Sequence, residues 1–470
     1  MIAALLCLAA AATTGAGADA PSPAGIWEGT LKAGPTDLRL VLRVEQVAGK
    51  APSATLDSPD QGALGMKVTS VEIKDGTLTA ELKPLAASFA GKLDEAGTTA
   101  TGEWSQGGGK LPLTLKKVDK ATEVIQRRPQ MPKPPFPYNA EDVAFENKPG
   151  KARLAGTLTV PEGKGPFPAA LLITGSGPQD RDETLMGHKP FLVLADDLTR
   201  RGIAVLRVDD RGVGKSTGDL ANATSKDFAG DVKAGVAYLK TRKEVDPRKI
   251  GLIGHSEGGL IAPMVAAESG DVSFVVLLAG TGLDGSKIIA MQARLISAAA
   301  GASAAVLDKQ AALQARMIAA IKANPDAKLA ATRLKALAKE ILDALTPEER
   351  AAMALTEAGA EAGLGWMNKP WFRYFLTYDP VPTLSKVKCP VLAINGEKDL
   401  QVPPRENLKA IADALKAGGN ARATIVEIPG VNHLFQTCKT GSPGEYAQIE
   451  ETFAPAALKV VGEWVVSQTR

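Results

Sequence analysis

The chain has 470 residues, 45% hydrophobic and 23% charged, with 55 basic against 52 acidic side chains and a net charge of +3. That length has room for two or three domains and a large core, in a composition ordinary for a folded globular protein. The charge balance excludes an electrostatic case for nucleic acid or an anionic membrane surface, and nothing after residue 20 is apolar for long enough to span a bilayer.

The first residues, Met1-Ile-Ala-Ala-Leu-Leu-Cys-Leu-Ala-Ala-Ala-Ala12, form an apolar run followed by small residues. Ala16-Gly17-Ala18 fits a cleavage site, so residues 1–18 are expected to be a signal peptide and the protein to be exported, to a periplasm or beyond.

From 25 to 119 the pattern has period two, broken by turn residues. Leu38, Leu40, Leu42 and Val44 alternate with Arg39, Val41, Arg43 and Glu45. Residues 71–82 predict a hairpin around Asp75-Gly76. Seven or eight short strands without a helix signal predict a small all-β barrel or sandwich, with Gly25-Ile26-Trp27 and Gly102-Glu103-Trp104 as candidate paired closing segments. No chemistry stands out here, and the domain reads as a scaffold. Residues 120–137 include a proline-rich stretch, stiff and incompatible with helix, which reads as a spacer.

From 138 to 470 strands and helices alternate. Apolar runs at Ala169–Ile173, Ile203–Val208, Ile250–Ile253, Phe274–Leu278 and Val391–Ile394 predict strands, and Pro190–Arg200 and Phe228–Thr241 predict helices. Runs of this kind, separated by helices, imply a parallel sheet covered on both faces. Between about 286 and 365 the composition shifts to Ala, Lys, Glu and Leu. Leu334, Leu337, Ile341 and Leu345 recur at helical intervals. This segment is expected to be a helical insertion that caps the sheet's C-terminal edge, with a helical hairpin packed elsewhere as the alternative.

Cys389 and Cys438 are expected to be free and buried. A strand of roughly 20 Å separates them, against the limit of about 7 Å between bridged Cα atoms. No Cys or His cluster has metal-ligand spacing, and no cofactor is expected.

Gly254-His255-Ser256-Glu257-Gly258 follows an apolar run and precedes Gly259-Leu260-Ile261-Ala262. This G-x-S-x-G pattern places a serine on a sharp strand-to-helix turn, where the glycines provide room. A serine hydroxyl needs an adjacent base and the base an orienting acid. The chain has three histidines. His433 lies just past the strand Ile425–Ile428, and Asp399 just past Val391–Ile394. Ser256, Asp399 and His433 therefore each follow the C-terminal end of a strand, and in an open parallel sheet those ends share one rim. Asp379 is a rival acid that precedes an expected strand. His255 reads as structural, His188 as a surface-loop residue, and Asp210-Arg211 as a loop tie. The acidic and basic run Asp180-Arg181-Asp182-Glu183 reads as a solvated or network-forming loop.

The order Ser, Asp, His, with the loops Gly396-Glu397-Lys398-Asp399 and Gly430-Val431-Asn432-His433 and the run Asp210 to Ser216, resembles the α/β-hydrolase superfamily over about 138–470. The layout, with its small N-terminal β domain, is similar to bacterial EstD-type carboxylesterases. The resemblance implies an α/β-hydrolase fold and a serine carboxylesterase acting on small-molecule esters through an acyl-enzyme. Ser256 is then the nucleophile, His433 the base and Asp399 the orienting acid. It also implies two oxyanion donors, the N–H of Glu257 and that of Ser176 in the loop Thr174–Pro178, with Gly177 as the fallback. A peptidase or amidase, or an acyltransferase, of the same fold remains the alternative. A peptidase of the prolyl-oligopeptidase kind is expected to carry a long repeated propeller, which the N-terminal 110 or so residues do not encode.

Overall fold

The computed structural model describes residues 22–470 apart from 34–35, 48, 62, 86, 107–108, 123–126, 348–349 and 351–362. The expected leader at 1–18 lies outside the described residues. The chain divides into two compact units, residues 1–59 with 63–123 and residues 60–62 with 124–470.

Among the described residues, the smaller unit is an antiparallel meander of nine strands: β1 Gly25–Ala33, β2 Thr36–Glu45, β3 Ser53–Ser58, β4 Ala63–Lys67, β5 Ser70–Lys74, β6 Thr77–Leu82, β7 Ala87–Leu93, β8 Thr99–Gln106 and β9 Gly109–Val118. Their order is β4-β3-β2-β1-β9-β8-β7-β6-β5. The alternating apolar residues face inward, where Leu40, Leu42 and Val44 pack with Trp27, Leu78, Phe89 and Leu115 in one core. Asp75 and Gly76 both have positive φ, 50° and 68°, as a two-residue hairpin turn requires. The end strands β4 and β5 are separated only by Val68 and Thr69. The N–H of Val68 donates to Ala54 O on β3, and that of Thr69 to Glu81 O on β6. One continuous stretch thereby joins both ends of the meander. The expected pairing of Gly25–Trp27 with Gly102–Trp104 does not occur. β8 and β9 form a local hairpin, Gln106 opposite Gly109, so β9 stands between β8 and β1.

Among the described residues, the larger unit is built on eight strands: β10 Tyr138–Asn147, β11 Ala152–Pro161, β12 Phe167–Ile173, β13 Ala204–Val208, β14 Val245–His255, β15 Phe274–Leu278, β16 Val391–Gly396 and β17 Ala423–Ile428. The order is β10-β11-β13-β12-β14-β15-β16-β17, antiparallel up to β13 and parallel beyond. Helices cover both faces: α1 Pro190–Arg200, α2 Ser225–Lys240, α3 Glu257–Ala266 and, after the insertion described next, two more near the C-terminus. Alternate residues of each strand feed opposite cores. Leu171, Leu252 and Val275 pack with Val232 and Ile261 of α2 and α3, whereas Leu172, Ile253 and Val276 pack with Leu194 and Leu198 of α1. Burial on both sides is why these strands read as unbroken apolar runs.

Between β15 and β16 lie α4 Gly285–Ala299, α5 Ala304–Ala323, α6 Ala327–Asp343, α7 Pro370–Thr377 and α8 Val381–Leu384, and α9 Pro404–Ala417 and α10 Pro455–Thr469 complete the unit. The expected apolar stripe of α6 is buried, but in two clusters: Leu334 packs with Ile318, Ile321 and Phe372, while Leu337, Ile341 and Leu345 form a second. The helical segment runs past the expected limit at 365. Pro370 opens α7, where a proline's missing N–H costs nothing, and Phe372 and Leu376 pack into the same cluster as α5 and α6.

The larger unit also begins before Tyr138. Arg128 donates to Met186 O, Ala447 O and Ile449 O, and Gln130 bonds Phe453 O and the N–H groups of Thr452 and Phe453. That part of the expected spacer is tied down by the side chains that flank Pro129.

Candidate active site

β14 ends at His255 and α3 begins at Glu257, which leaves Ser256 alone in the turn at φ 51° and ψ −112°. Such a conformation costs on the order of 1–3 kcal/mol and persists only where the surroundings hold it. Here Ser256 N–H donates to Leu278 O on β15 at 2.8 Å. The flanking glycines are required by close backbone approach. A Cβ at Gly254 would stand 2.0 Å from Gly258 O, and one at Gly258 would stand 2.1 Å from Ile173 O at the end of β12. The turn thus presents the hydroxyl at the sheet's C-terminal rim, at the start of α3, where the helix dipole favours negative charge.

Asp399 and His433 reach the same rim from the ends of β16 and β17. His433 Nδ1 lies 2.7 Å from Asp399 Oδ2. The other carboxylate oxygen, Oδ1, accepts the N–H groups of Gln401 and Val402, both at 2.8 Å. Asn432 braces the histidine loop: its Oδ1 accepts from Leu434 N and Gln436 N, and its Nδ2 donates to Gln436 Oε1. Both His433 and Asp399 are buried. Ser256 and His433 border one cleft, with no hydrogen bond between them among the described residues. The rival Asp379 precedes α8 rather than a strand, and its carboxylate accepts the N–H of Val381.

The cleft has a cavity volume of about 210 Å³ and is bordered by Ser176, Ser256, Glu257, Thr281 and His433, with Ile288, Ile289, Trp366, Trp371 and Phe375 as an apolar wall. Gln292, Gln401 and Val402 complete it. Gln292 Nε2 donates to Gln401 Oε1, and Gln401 Nε2 to Tyr446 Oη. The side chain of Glu257 is buried, and its Oε1 accepts from Ser225 Oγ at 2.6 Å and Trp371 Nε1 at 2.7 Å. Burial raises this carboxyl above its ordinary pKa, against the two hydrogen bonds.

The loop after β12 carries Ser176 to the cleft, whereas Gly177, at φ 96°, is not among the bordering residues. Gly175 N–H donates to Glu183 Oε1 at 2.7 Å. Asp210 braces the loop by accepting from Thr174 Oγ1 at 2.7 Å and Gln179 N at 2.9 Å, and burial pushes its carboxyl up to about 8. Arg211 pairs with Asp231 at 2.7 Å.

The other two histidines are both buried. His188, expected on the surface, lies under the C-terminal loops, with Nδ1 3.0 Å from Thr452 Oγ1 and Nε2 2.9 Å from Gln436 Nε2. Burial, then the charge of Arg128, lowers its pKa to about 4. The polar loop around it misled the reading, because its cover comes from residues some 250 positions away in sequence. His255 turns from the cleft and bonds Glu183 Oε1 and His433 O. Cys389 and Cys438 are free but only partly buried, because each lies in a loop, outside the strands. Among the described residues no set of three or more His, Cys, Asp or Glu side chains is arranged to hold a metal ion, and no helix is long and apolar enough to cross a membrane.

The sequence reading missed the aromatic wall. Its signal was the concentration of Trp366, Trp371, Phe372, Tyr374 and Phe375 in a chain only 4% aromatic. The side-chain role of Glu257 was also missed, since both of its partners are distant in sequence.

Residues 123–449 match the model of the alpha/beta hydrolase family. A 135-residue stretch is 35% identical to Esterase EstD of Thermotoga maritima, covering 29% of this chain and 31% of that esterase's length, so the matching stretch spans less than a third of the relative. Among solved structures, the Pyrococcus furiosus esterase Pf2001 is similar over 70% of this chain and 92% of its own, with a TM-score of 0.41 and 16% identity. Est1E from Butyrivibrio proteoclasticus, solved with ferulic acid bound, is similar over 69% and 98%, with a TM-score of 0.40 and 17% identity.

Proposed function

Since the chain belongs to the alpha/beta hydrolase family, we propose that it is a serine carboxylesterase that hydrolyses small-molecule esters through an acyl-enzyme. The observation that carries this reading is the hydrogen bond between Asp399 and His433 at a cleft that also holds Ser256 on a strained turn.

In this reading His433 Nε2 takes the proton of Ser256 as Oγ attacks the ester carbonyl carbon. Asp399 fixes the tautomer with the proton on Nδ1 and stabilises the imidazolium that forms. The carbonyl oxygen becomes an oxyanion, held by the N–H of Glu257 and that of Ser176. Gly175 N–H is already donated to Glu183, which supports a donor one residue further on. Each such donor is worth roughly 3–4 kcal/mol of the barrier. As the intermediate collapses, His433 returns the proton to the leaving alkoxide and the alcohol departs. Water, activated by the same imidazole, then releases the acid and restores the Ser256 hydroxyl.

The helices between β15 and β16 act as a cap in this proposal. Ile288 and Ile289 from α4, with Trp366, Trp371 and Phe375, supply the apolar wall against which a short acyl or aryl group fits.

The test is turnover of aryl esters of increasing acyl length beside aminoacyl anilides. The expected result is hydrolysis of short-chain esters, no anilide cleavage, and a loss of at least about 10⁴-fold in Ser256→Ala with the fold intact. Retained ester turnover in Ser256→Ala would remove the serine mechanism, and faster anilide cleavage would move the reading to an amidase.

A further inference from the structure

We propose that Glu183 and His255 are positioning residues, a buried ion pair that locks the oxyanion loop and the catalytic-histidine loop to the nucleophile turn. The inference rests on the reading of the site just given.

Neither residue borders the cleft, yet together they join three segments that form it. Glu183 Oε1 accepts from Gly175 N–H at 2.7 Å and lies 2.8 Å from His255 Nδ1. His255 immediately precedes Ser256, and its Nε2 lies 3.0 Å from the carbonyl oxygen of His433 itself. Two side chains thus connect the residue before the proposed donor Ser176, the residue before the nucleophile, and the backbone of the base.

The proton inventory makes this an ion pair. A backbone carbonyl only accepts, so Nε2 must carry a proton. Nδ1 faces a carboxylate oxygen, so it too is a donor. A ring protonated on both nitrogens is an imidazolium, and Glu183 balances it. The groups facing the ring are Glu183, the His433 ring at 4.9 Å between centroids, the Phe435 ring at 6.4 Å and, by charge, Asp399. Burial alone would lower the pKa of His255, but Glu183, the His433 carbonyl and Asp399 outweigh it and leave it raised.

The loop carrying Glu183 is shaped to aim it inward. Arg181 pairs with Asp209 at 2.8 Å, Asp182 pairs with Arg207 and with Lys189, and Asp180 caps the N–H groups of Asp182 and Thr184. Arg181 and Asp182 are thereby tied to the body of the sheet, while Asp180 holds the run's own backbone. Glu183 is left at φ 54°, a conformation unfavourable for a side chain of its size. Its carboxylate is buried to 6% exposure and the His255 ring to 8%. A buried pair that loses one partner leaves an uncompensated charge, so the loop cannot drift without a penalty. Catalytic geometry tolerates only about 0.5 Å of drift.

Two measurements test the proposal. The chain has three histidines, so nitrogen-resolved spectra of isotope-labelled histidine separate their rings in the unsubstituted protein. At pH about 7.5, where an ordinary imidazole is mostly neutral, His255 should keep protons on both nitrogens, and a singly protonated ring would overturn the ion pair. The second measurement is kcat and KM on an aryl ester, with the rate of Ser256 labelling by a fluorophosphonate, for Glu183→Gln, His255→Gln and the double variant. Each single change should lower kcat and the labelling rate by about tenfold to a hundredfold while KM stays within about threefold, and the double should lose no more than the worse single. Folded single variants with kcat within about threefold of the unsubstituted protein, or losses that multiply, would overturn the positioning role. Where a variant does not fold, the ring spectra decide. Absence of Ser256 labelling in the unsubstituted protein would instead count against the esterase reading.

Discussion

His433 Nδ1 and Asp399 Oδ2 stand 2.7 Å apart, and the carboxylate's other oxygen is held by two backbone N–H groups of its own loop. The carboxylate therefore has no freedom to turn away, and the ring that it faces is set in one tautomer. Asp399→Asn would keep the shape but turn an amide N–H or a neutral oxygen toward Nδ1. The expected outcome is a loss of about 10³- to 10⁴-fold in kcat, because the ring then favours the tautomer that cannot take the serine proton. Steady-state kinetics beside an unchanged circular dichroism spectrum checks it.

Backbone contact governs the turn that carries Ser256. A methyl at Gly258 meets Ile173 O at 2.1 Å, with no flexible side chain to give way. Gly258→Ala should lose about 3 kcal/mol or more in urea denaturation. Gly270→Ala, where nothing lies within 4 Å of the added carbon, is the control and should change stability by about 0.5 kcal/mol or less.

The indole of Trp371 stacks on Phe375 at 5.6 Å and donates to Glu257. Trp371→Phe keeps an aromatic face but removes the donor, at a cost of about 1–2 kcal/mol in stability. Trp366 borders the cleft and is 46% exposed, so Trp366→Ala should open the apolar wall with little cost in fold. Longer acyl chains should then gain in kcat/KM relative to acetate. An unchanged chain-length profile would remove Trp366 from substrate recognition.

His188 couples stability to pH. Its folded pKa is lowered to about 4 from 6.5. Between those values the unfolded ring binds a proton that the folded ring does not, so this contribution is full above pH 6.5 and is lost as pH falls toward 4. The expected loss is on the order of 3 kcal/mol. Urea unfolding across that range should show a weaker pH dependence in His188→Gln than in the unsubstituted protein.

Much of this architecture was legible before any coordinates. The period-two alternation of Leu40, Leu42 and Val44 and the unbroken runs at Ala169–Ile173 and Phe274–Leu278 declare one-sided and two-sided burial, because local periodicity records which faces meet solvent. The positions of Ser256, Asp399 and His433, each just past a strand end, were legible for the same reason. The closing partner of β1 was not, since β9 competes with β8 for the same edge and only the hairpin settles it. Nor was the burial of His188, whose cover is the segment around Tyr446 and Thr452.

The sequence by itself determined where the chain turns, which residues lie at the ends of parallel strands, and that a serine is set between two glycines where only glycine fits. These are properties of a few adjacent residues, written in backbone sterics and apolar spacing. Tertiary structure alone decided that Glu183 meets His255, that Trp371 meets Glu257, and that Arg128 docks beside Ile449. Such contacts join residues separated by tens to hundreds of positions. They depend on how helices and loops settle onto the sheet, which local pattern does not encode.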